Sequence, residues 1–224
     1  MERILDEAYE QAGNDPDFIA FVDTQGLGRD DRLVPEILQK IYDSARCHLD
    51  PEAWLNACIS GSEVSDHMDA GATVWGAYLM KDLRSFLEKQ LLALKACAER
   101  AENTEEMEKP AALLRQTVKQ LQFLRDSETW DQVVERSSVD FGRLVFSKKC
   151  PDLELAERIK AIRNACKKGL ERKLKSFADP SQRVLADLKD SAKAIRGMIT
   201  LVRLFSAEYD RMKRGVHVLD FGDL

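Results

Sequence analysis

Chemically reactive side chains are scarce in this chain. Its five cysteines, Cys47, Cys58, Cys97, Cys150 and Cys166, are odd in number and form no CxxC pair. That argues against a disulfide framework or a zinc site. The three histidines, His48, His67 and His217, lie four residues from no other His or Cys, so the helical spacing of a metal site is missing. Neither a GxxxxGK loop followed by Ser or Thr nor a GxGxxG turn occurs. No nucleotide should therefore bind in the phosphate-loop manner, and Gly26-Leu27-Gly28 reads as a helix breaker. We expect no catalytic residue, no metal ligand and no cofactor of this chain's own. Apolar runs are too short to span a bilayer. The opening MERILDEAYEQAG is too acidic for a signal peptide. A reducing, cytoplasmic setting with no membrane partner is the expectation.

Turn-formers and aromatics are also sparse. Eleven Gly, six Pro and 7% aromatics among 224 residues, with 33% charged residues, point to long amphipathic helices rather than sheets. The 44% hydrophobic content is ample for a core. The net charge of -5 hides an asymmetry. Residues 141–224 hold 19 Lys and Arg against 11 Asp and Glu, a balance of +8, which leaves −13 on residues 1–140. An anionic partner should meet the later part.

Helical patterning runs almost throughout. Short amphipathic helices are predicted over 1–12 and from Pro16 to the Gly26 break. The next begins near Asp31, with Leu33, Ile37, Ile41 and Ala45 at four-residue spacing. Asp50-Pro51-Glu52 places a cap and a first-turn proline at the head of another, which carries Trp54, Leu55 and Cys58. A long helix is predicted from Asp66 to Arg100, with Val74, Tyr78, Leu83, Leu87, Leu91 and Leu94 among its apolar positions. Gly71 and Gly76 weaken its first half. Helices over 111–125 and 127–136 follow. Residues 137–151 are irregular and read either as an extended segment on the helices or as a short hairpin. Two long helices close the chain, 152–177 and 180–213, with Asp179 as the second cap. The seam Leu185, Leu188, Ala192, Ile195, Ile199, Val202, Phe205 and Tyr209 suits an antiparallel hairpin with the preceding helix. The predicted fold is all-α: an irregular helical bundle closed by a long antiparallel helical hairpin.

The strongest local signal is charge. Between Arg158 and Lys175 there are eight basic residues against one acid, Glu171. Leu155, Ile159, Ile162, Cys166 and Leu170 share one side of the helix. Lys160, Arg163, Lys167, Lys168, Arg172 and Lys175 are the candidate phosphate-contacting set. No aromatic lies on that basic face, so a stacking platform for single strands is not expected there. A solvated face that merely keeps the helix soluble is the competing reading. Asp220 and Asp223 pair two carboxylates without a third ligand nearby, which suits a helix cap better than a metal.

Two stretches are less generic. His48-Leu49-Asp50-Pro51-Glu52-Ala53-Trp54-Leu55 resembles the pdPeaWL segment of AddA-type helicase–nuclease subunits. Phe205-Ser206-Ala207-Glu208-Tyr209-Asp210-Arg211-Met212-Lys213, followed by Leu219-Asp220-Phe221-Gly222-Asp223-Leu224, resembles the F…Y…K…LDFxDL segment of UvrD-like superfamily 1 DNA helicases. Gly222 stands where that family usually has a polar residue. The resemblance implies that residues 1–218 are a helical 1B-like insertion domain. Leu219, Asp220, Phe221 and Asp223 would then begin the return into a RecA-like motor domain. It implies a parent that is an ATP-dependent DNA helicase and exonuclease in double-strand-break repair and recombination, using ATP and Mg. Its partners would be DNA, contacted non-specifically as duplex or junction, its own motor domain and a second nuclease/helicase subunit. The alternative is a structural helical domain that docks a partner subunit without touching DNA.

Overall fold

The computed structural model describes residues 2–26, 33–65, 67–147 and 149–219. Among them are nine α-helices and no strand: α1 (Glu2–Ala12), α2 (Pro16–Gly26), α3 (Leu33–Arg46), α4 (Pro51–Ser62), α5 (Val74–Glu102), α6 (Glu108–Arg125), α7 (Trp130–Arg136), α8 (Leu153–Leu174) and α9 (Ser181–Val216). The chain divides into two compact units. The first joins residues 1–65 to 185–224, and the second is the continuous stretch 66–184.

The first unit is built around one apolar cluster. Phe18 and Phe21 of α2, Val34, Leu38, Tyr42 and Ala45 of α3, and Leu55 of α4 pack with Ala194, Ile199, Leu201, Val202 and Phe205 of α9. The predicted seam of α9 is thus largely used. Its core partners in this unit are the N-terminal helices, whereas the heptad pattern alone suggested the preceding helix. Tyr42 meets Phe205 edge-on at 5.2 Å and Tyr209 at 6.0 Å. Polar pairs frame the cluster. Arg196 Nε donates to Asp17 Oδ2 at 2.7 Å, and Arg203 Nε donates to Glu52 Oε2 at 3.0 Å. Gly197 lets α9 approach the head of α2: a Cβ there would lie 2.0 Å from the Asp17 carbonyl oxygen. The head of α4 follows its sequence signature. Asp50 Oδ1 accepts the Ala53 N–H at 2.8 Å, and Pro51 opens the helix.

In the second unit α5 and α6 form an antiparallel pair. Arg115, near the head of α6, ion-pairs with Glu102 at the end of α5, and Arg84 in α5 donates to the Ser127 carbonyl beyond α6 at 3.2 Å. Leu83, Leu87, Leu91, Leu94, Leu114, Leu121 and Leu124 fill the space between them, and Leu155, Ile159, Cys166 and Leu170 of α8 extend the core. The start of α5 departs from the sequence expectation. Asp69 accepts the Gly71 N–H and caps a short 3-10 turn over Ala70–Ala72, and Thr73 then caps α5 by accepting the Gly76 N–H at 3.0 Å. Gly76 lets the head of α5 lie against that turn: a Cβ there would come 1.8 Å from the Ala70 carbonyl oxygen. Residues 137–147 are irregular and carry no ladder pairing, and Gly142 turns the chain at a φ of 61°, so the hairpin left open for 137–151 is not formed among the described residues. Asp179 is not the cap of α9. The Ser181 N–H goes to Asp131 Oδ1 at 2.7 Å, while the Pro180 carbonyl accepts the first helical bonds from Arg183 and Val184.

Candidate nucleic-acid interface

Helix α8 begins at a proper cap, Asp152, whose Oδ1 accepts the Leu155 N–H at 2.8 Å. From there its apolar residues fall where 3.6-residue periodicity puts them. Leu155, Ala156, Ile159, Cys166 and Leu170 are buried, so the opposite side faces solvent. The six candidate cations divide into three groups on this helix.

Arg163 is the correction. It is buried, with 8% of its surface exposed, and its Nη2 donates to the Phe141 and Gly142 carbonyl oxygens. Those carbonyls belong to the irregular segment, which has no strand neighbour to satisfy them. The guanidinium therefore ties 137–147 to α8 and does not reach a phosphate. Lys160 and Lys167 form the second group. Lys160 is half-buried, pairs with Glu157 at 2.6 Å and lies 5.5 Å from the Phe146 ring centroid. Lys167 is exposed, 3.9 Å from Glu171. Such exposed pairs are worth little and exchange readily for a better anion.

Lys168, Arg172 and Lys175 make the third group. All three are exposed, and no ion pair holds any of them among the described residues. At about 100° per residue Lys168 and Arg172 sit about 40° apart, with Lys175 about 20° to the other side. That is one stripe, opposite the buried Cys166 and Leu170. Lys173, absent from the candidate set, faces inward and pairs with Asp82 of α5.

The pair Lys173–Asp82 also fixes how α8 lies on α5. Gly169 sits so close to Phe86 that an added Cβ would come within 2.7 Å of the ring, and Arg158 faces Cys97. Each step along α8 is thus a step back along α5. The start of α5 reaches the level of the 3-10 turn Lys175–Phe177 that follows α8. There Ala70 N donates to Ser181 Oγ at 2.7 Å, and Trp130 packs on Phe177 at 4.4 Å. At this end of the unit Val74, Trp75 and Tyr78 are exposed, by 65%, 65% and 69%. Val74 and Tyr78, two of the apolar positions of the predicted helix, thus lie outside the core. For Val74 and Tyr78 the signal was legible: at about 100° per residue they fall opposite the stripe of Leu83, Leu87, Leu91 and Leu94.

Leu219 is exposed, while Asp220, Phe221 and Asp223 lie outside the described residues. No group of three or more His, Cys, Asp or Glu among the described residues could hold a metal ion. No helix of the described residues is long and apolar enough to cross a membrane. Burial pushes the Cys166 thiol up to about 11 and raises Cys97 and Cys58 as well, the opposite of activation.

Comparison with known proteins places this arrangement. No family model matches the chain. Curated relatives, each named as the A subunit of an ATP-dependent helicase/nuclease, match along its length. The protein of Acetivibrio thermocellus is 24% identical over 100% of the chain, that of Pelotomaculum thermopropionicum 30% over 98%, and that of Bacillus pumilus 28% over 100%. The chain spans only 18%, 18% and 19% of those relatives.

Proposed function

We propose that this chain, which is similar along its length to the A subunits of ATP-dependent helicase/nucleases, is a DNA-contacting accessory arm, the 1B-like helical insertion of a motor that unwinds and digests DNA in double-strand-break repair and recombination. The observation that supports DNA contact is the stripe of Lys168, Arg172 and Lys175, solvent-exposed and without carboxylate partners among the described residues. Three cations within a narrow arc, two on α8 and one on the turn that follows it, suit a phosphate backbone, whose charges recur along a line. The contact is sequence-independent in this reading, because charge placed on the phosphate backbone carries no sequence information. ATP, Mg and nuclease chemistry belong, in this reading, to other parts of the parent. Those parts include its motor domain and a second nuclease/helicase subunit. The arm itself performs no chemistry.

Non-specific binding of this kind has a Kd of roughly 10⁻⁴–10⁻⁶ M at physiological salt. The test is a gel-shift or anisotropy titration of a short duplex at several salt concentrations. Lys168→Glu, Arg172→Glu and Lys175→Glu together should lower affinity more than about tenfold and flatten the dependence on salt by about 0.9 for each phosphate no longer neutralised. Unchanged binding by this triple variant would leave the arm as a structural domain that docks a partner subunit.

A further inference from the structure

The same end of the second unit carries exposed aromatics that the phosphate stripe does not use. Trp75 and Tyr78 are one turn apart on α5, so their rings lie on neighbouring positions of one face. They stand 65% and 69% exposed, with Val74 beside them. The antiparallel packing of α5 on α8 brings them to the level of Lys175, where the stripe ends. Lys81, one turn beyond Tyr78, is exposed and has no ion partner among the described residues. The end of the unit thus combines large flat apolar rings with unneutralised cations on both helices. A purely apolar partner would leave those cations unpaired. A duplex would present phosphates to them and offer the rings no exposed base faces.

We propose that Trp75 and Tyr78 stack on unpaired bases, so that this end of the second unit takes single-stranded DNA whose phosphates follow Lys175, Arg172 and Lys168 along α8. Every base has a π face and every nucleotide a phosphate, so the site is sequence-tolerant. The proposal rests on the reading of the arm as DNA-contacting. It adds the substrate form, a strand already opened, and two residues that recognise it.

The experiment compares a 20-nucleotide oligothymidine with a 20-base-pair duplex, by fluorescence anisotropy, on the full chain. Trp75→Ala with Tyr78→Ala should weaken single-strand binding about tenfold or more, since each stacked base contributes strongly by alanine substitution. Duplex affinity and the salt slope should hardly change. Both side chains are exposed, and an unchanged circular dichroism melt verifies that the variant folds. Tryptophan emission of the unaltered protein should be quenched by oligothymidine, and Trp75→Phe should remove most of that quenching. If the aromatic variant binds the single strand as well as the parent does, while reversal of Lys168, Arg172 and Lys175 abolishes binding, the arm contacts DNA but the stacking site is rejected. Loss of affinity for strand and duplex alike also rejects stacking. If neither variant changes binding, both readings fall, and the aromatic face is a protein contact.

Discussion

Arg163 and Lys168 stand five positions apart on one helix, yet their charges have opposite fates. Lys168 is solvated, while Arg163 is buried against two carbonyl oxygens of an irregular segment. Replacing Arg163 with Met keeps the volume roughly and removes the donors. The buried Phe141 carbonyl is then orphaned, which costs about 1–3 kcal/mol of stability. Urea unfolding should show that loss, while duplex affinity stays within about twofold, a small change next to that from a stripe residue. A drop in affinity as large as that of Lys168→Glu would contradict the assignment. Cysteine behaves in the same positional way. Cys47 is exposed, whereas Cys166 is buried with its thiol pushed up to about 11 from an ordinary 9.0. In the unfolded chain this thiol ionises near its ordinary value, but in the folded chain it resists until about 11. Its contribution to stability is complete below pH 9 and is lost as pH rises from 9 towards 11. Urea unfolding measured at about pH 8 and about pH 10.5 should therefore diverge less for Cys166→Ala than for the unaltered chain. A thiol reagent at about pH 8 should label Cys47 at once and Cys166 only after denaturation.

Helices carry most of what was legible beforehand. The cap at Asp50, the proline at the head of α4 and the apolar face of α8 all followed from spacing, because each is decided within one or two turns. Asp152→Ala should cost the second unit about 1 kcal/mol in urea unfolding, the usual worth of a side-chain cap. What escaped was every feature decided by a neighbour in space. The seam of α9 announces an apolar face but not its partner, so a hairpin with α8 was expected where the N-terminal helices supply the core. Arg163 looked like one more surface cation because its acceptors lie about twenty residues upstream. The apolar residues of 137–147 nearly alternate as in a strand, yet no ladder forms, and side chains take some of the backbone groups instead: Arg163 the Phe141 and Gly142 carbonyls, Gln120 the Asp140 N–H. Tyr78 and Val74 share the apolar character of the leucine stripe, but their angular position already excludes them from it.

The two units differ in charge as well as in core. Residues 66–184 hold 22 Lys and Arg against 19 Asp and Glu, a net of +3. Residues 1–65 with 185–224 therefore carry the remaining −8 of the −5 total. The sequence asymmetry between halves was real, but its boundary is spatial rather than sequential, because the acidic unit takes its members from both ends of the chain. Two consequences follow for the isolated stretch 66–184. It is continuous and has its own core. It keeps both polar ties at its closing turn, Ala70 to Ser181 and Ser181 to Asp131. It should therefore unfold cooperatively in urea with a helical circular dichroism spectrum. The first unit, split in sequence, gains its core only when residues 185–224 meet residues 1–65, so neither piece should fold by itself. The excised stretch should also bind DNA at least as tightly as the whole chain at low salt, because removing a body of net −8 removes long-range repulsion of phosphates. The gain should vanish above roughly 0.2 M salt, where screening confines interactions to within about 8 Å. Weaker binding by 66–184 at every salt concentration, with the fold intact, would mean that the acidic unit contributes contacts of its own and that the DNA path is not confined to α8 and the start of α5.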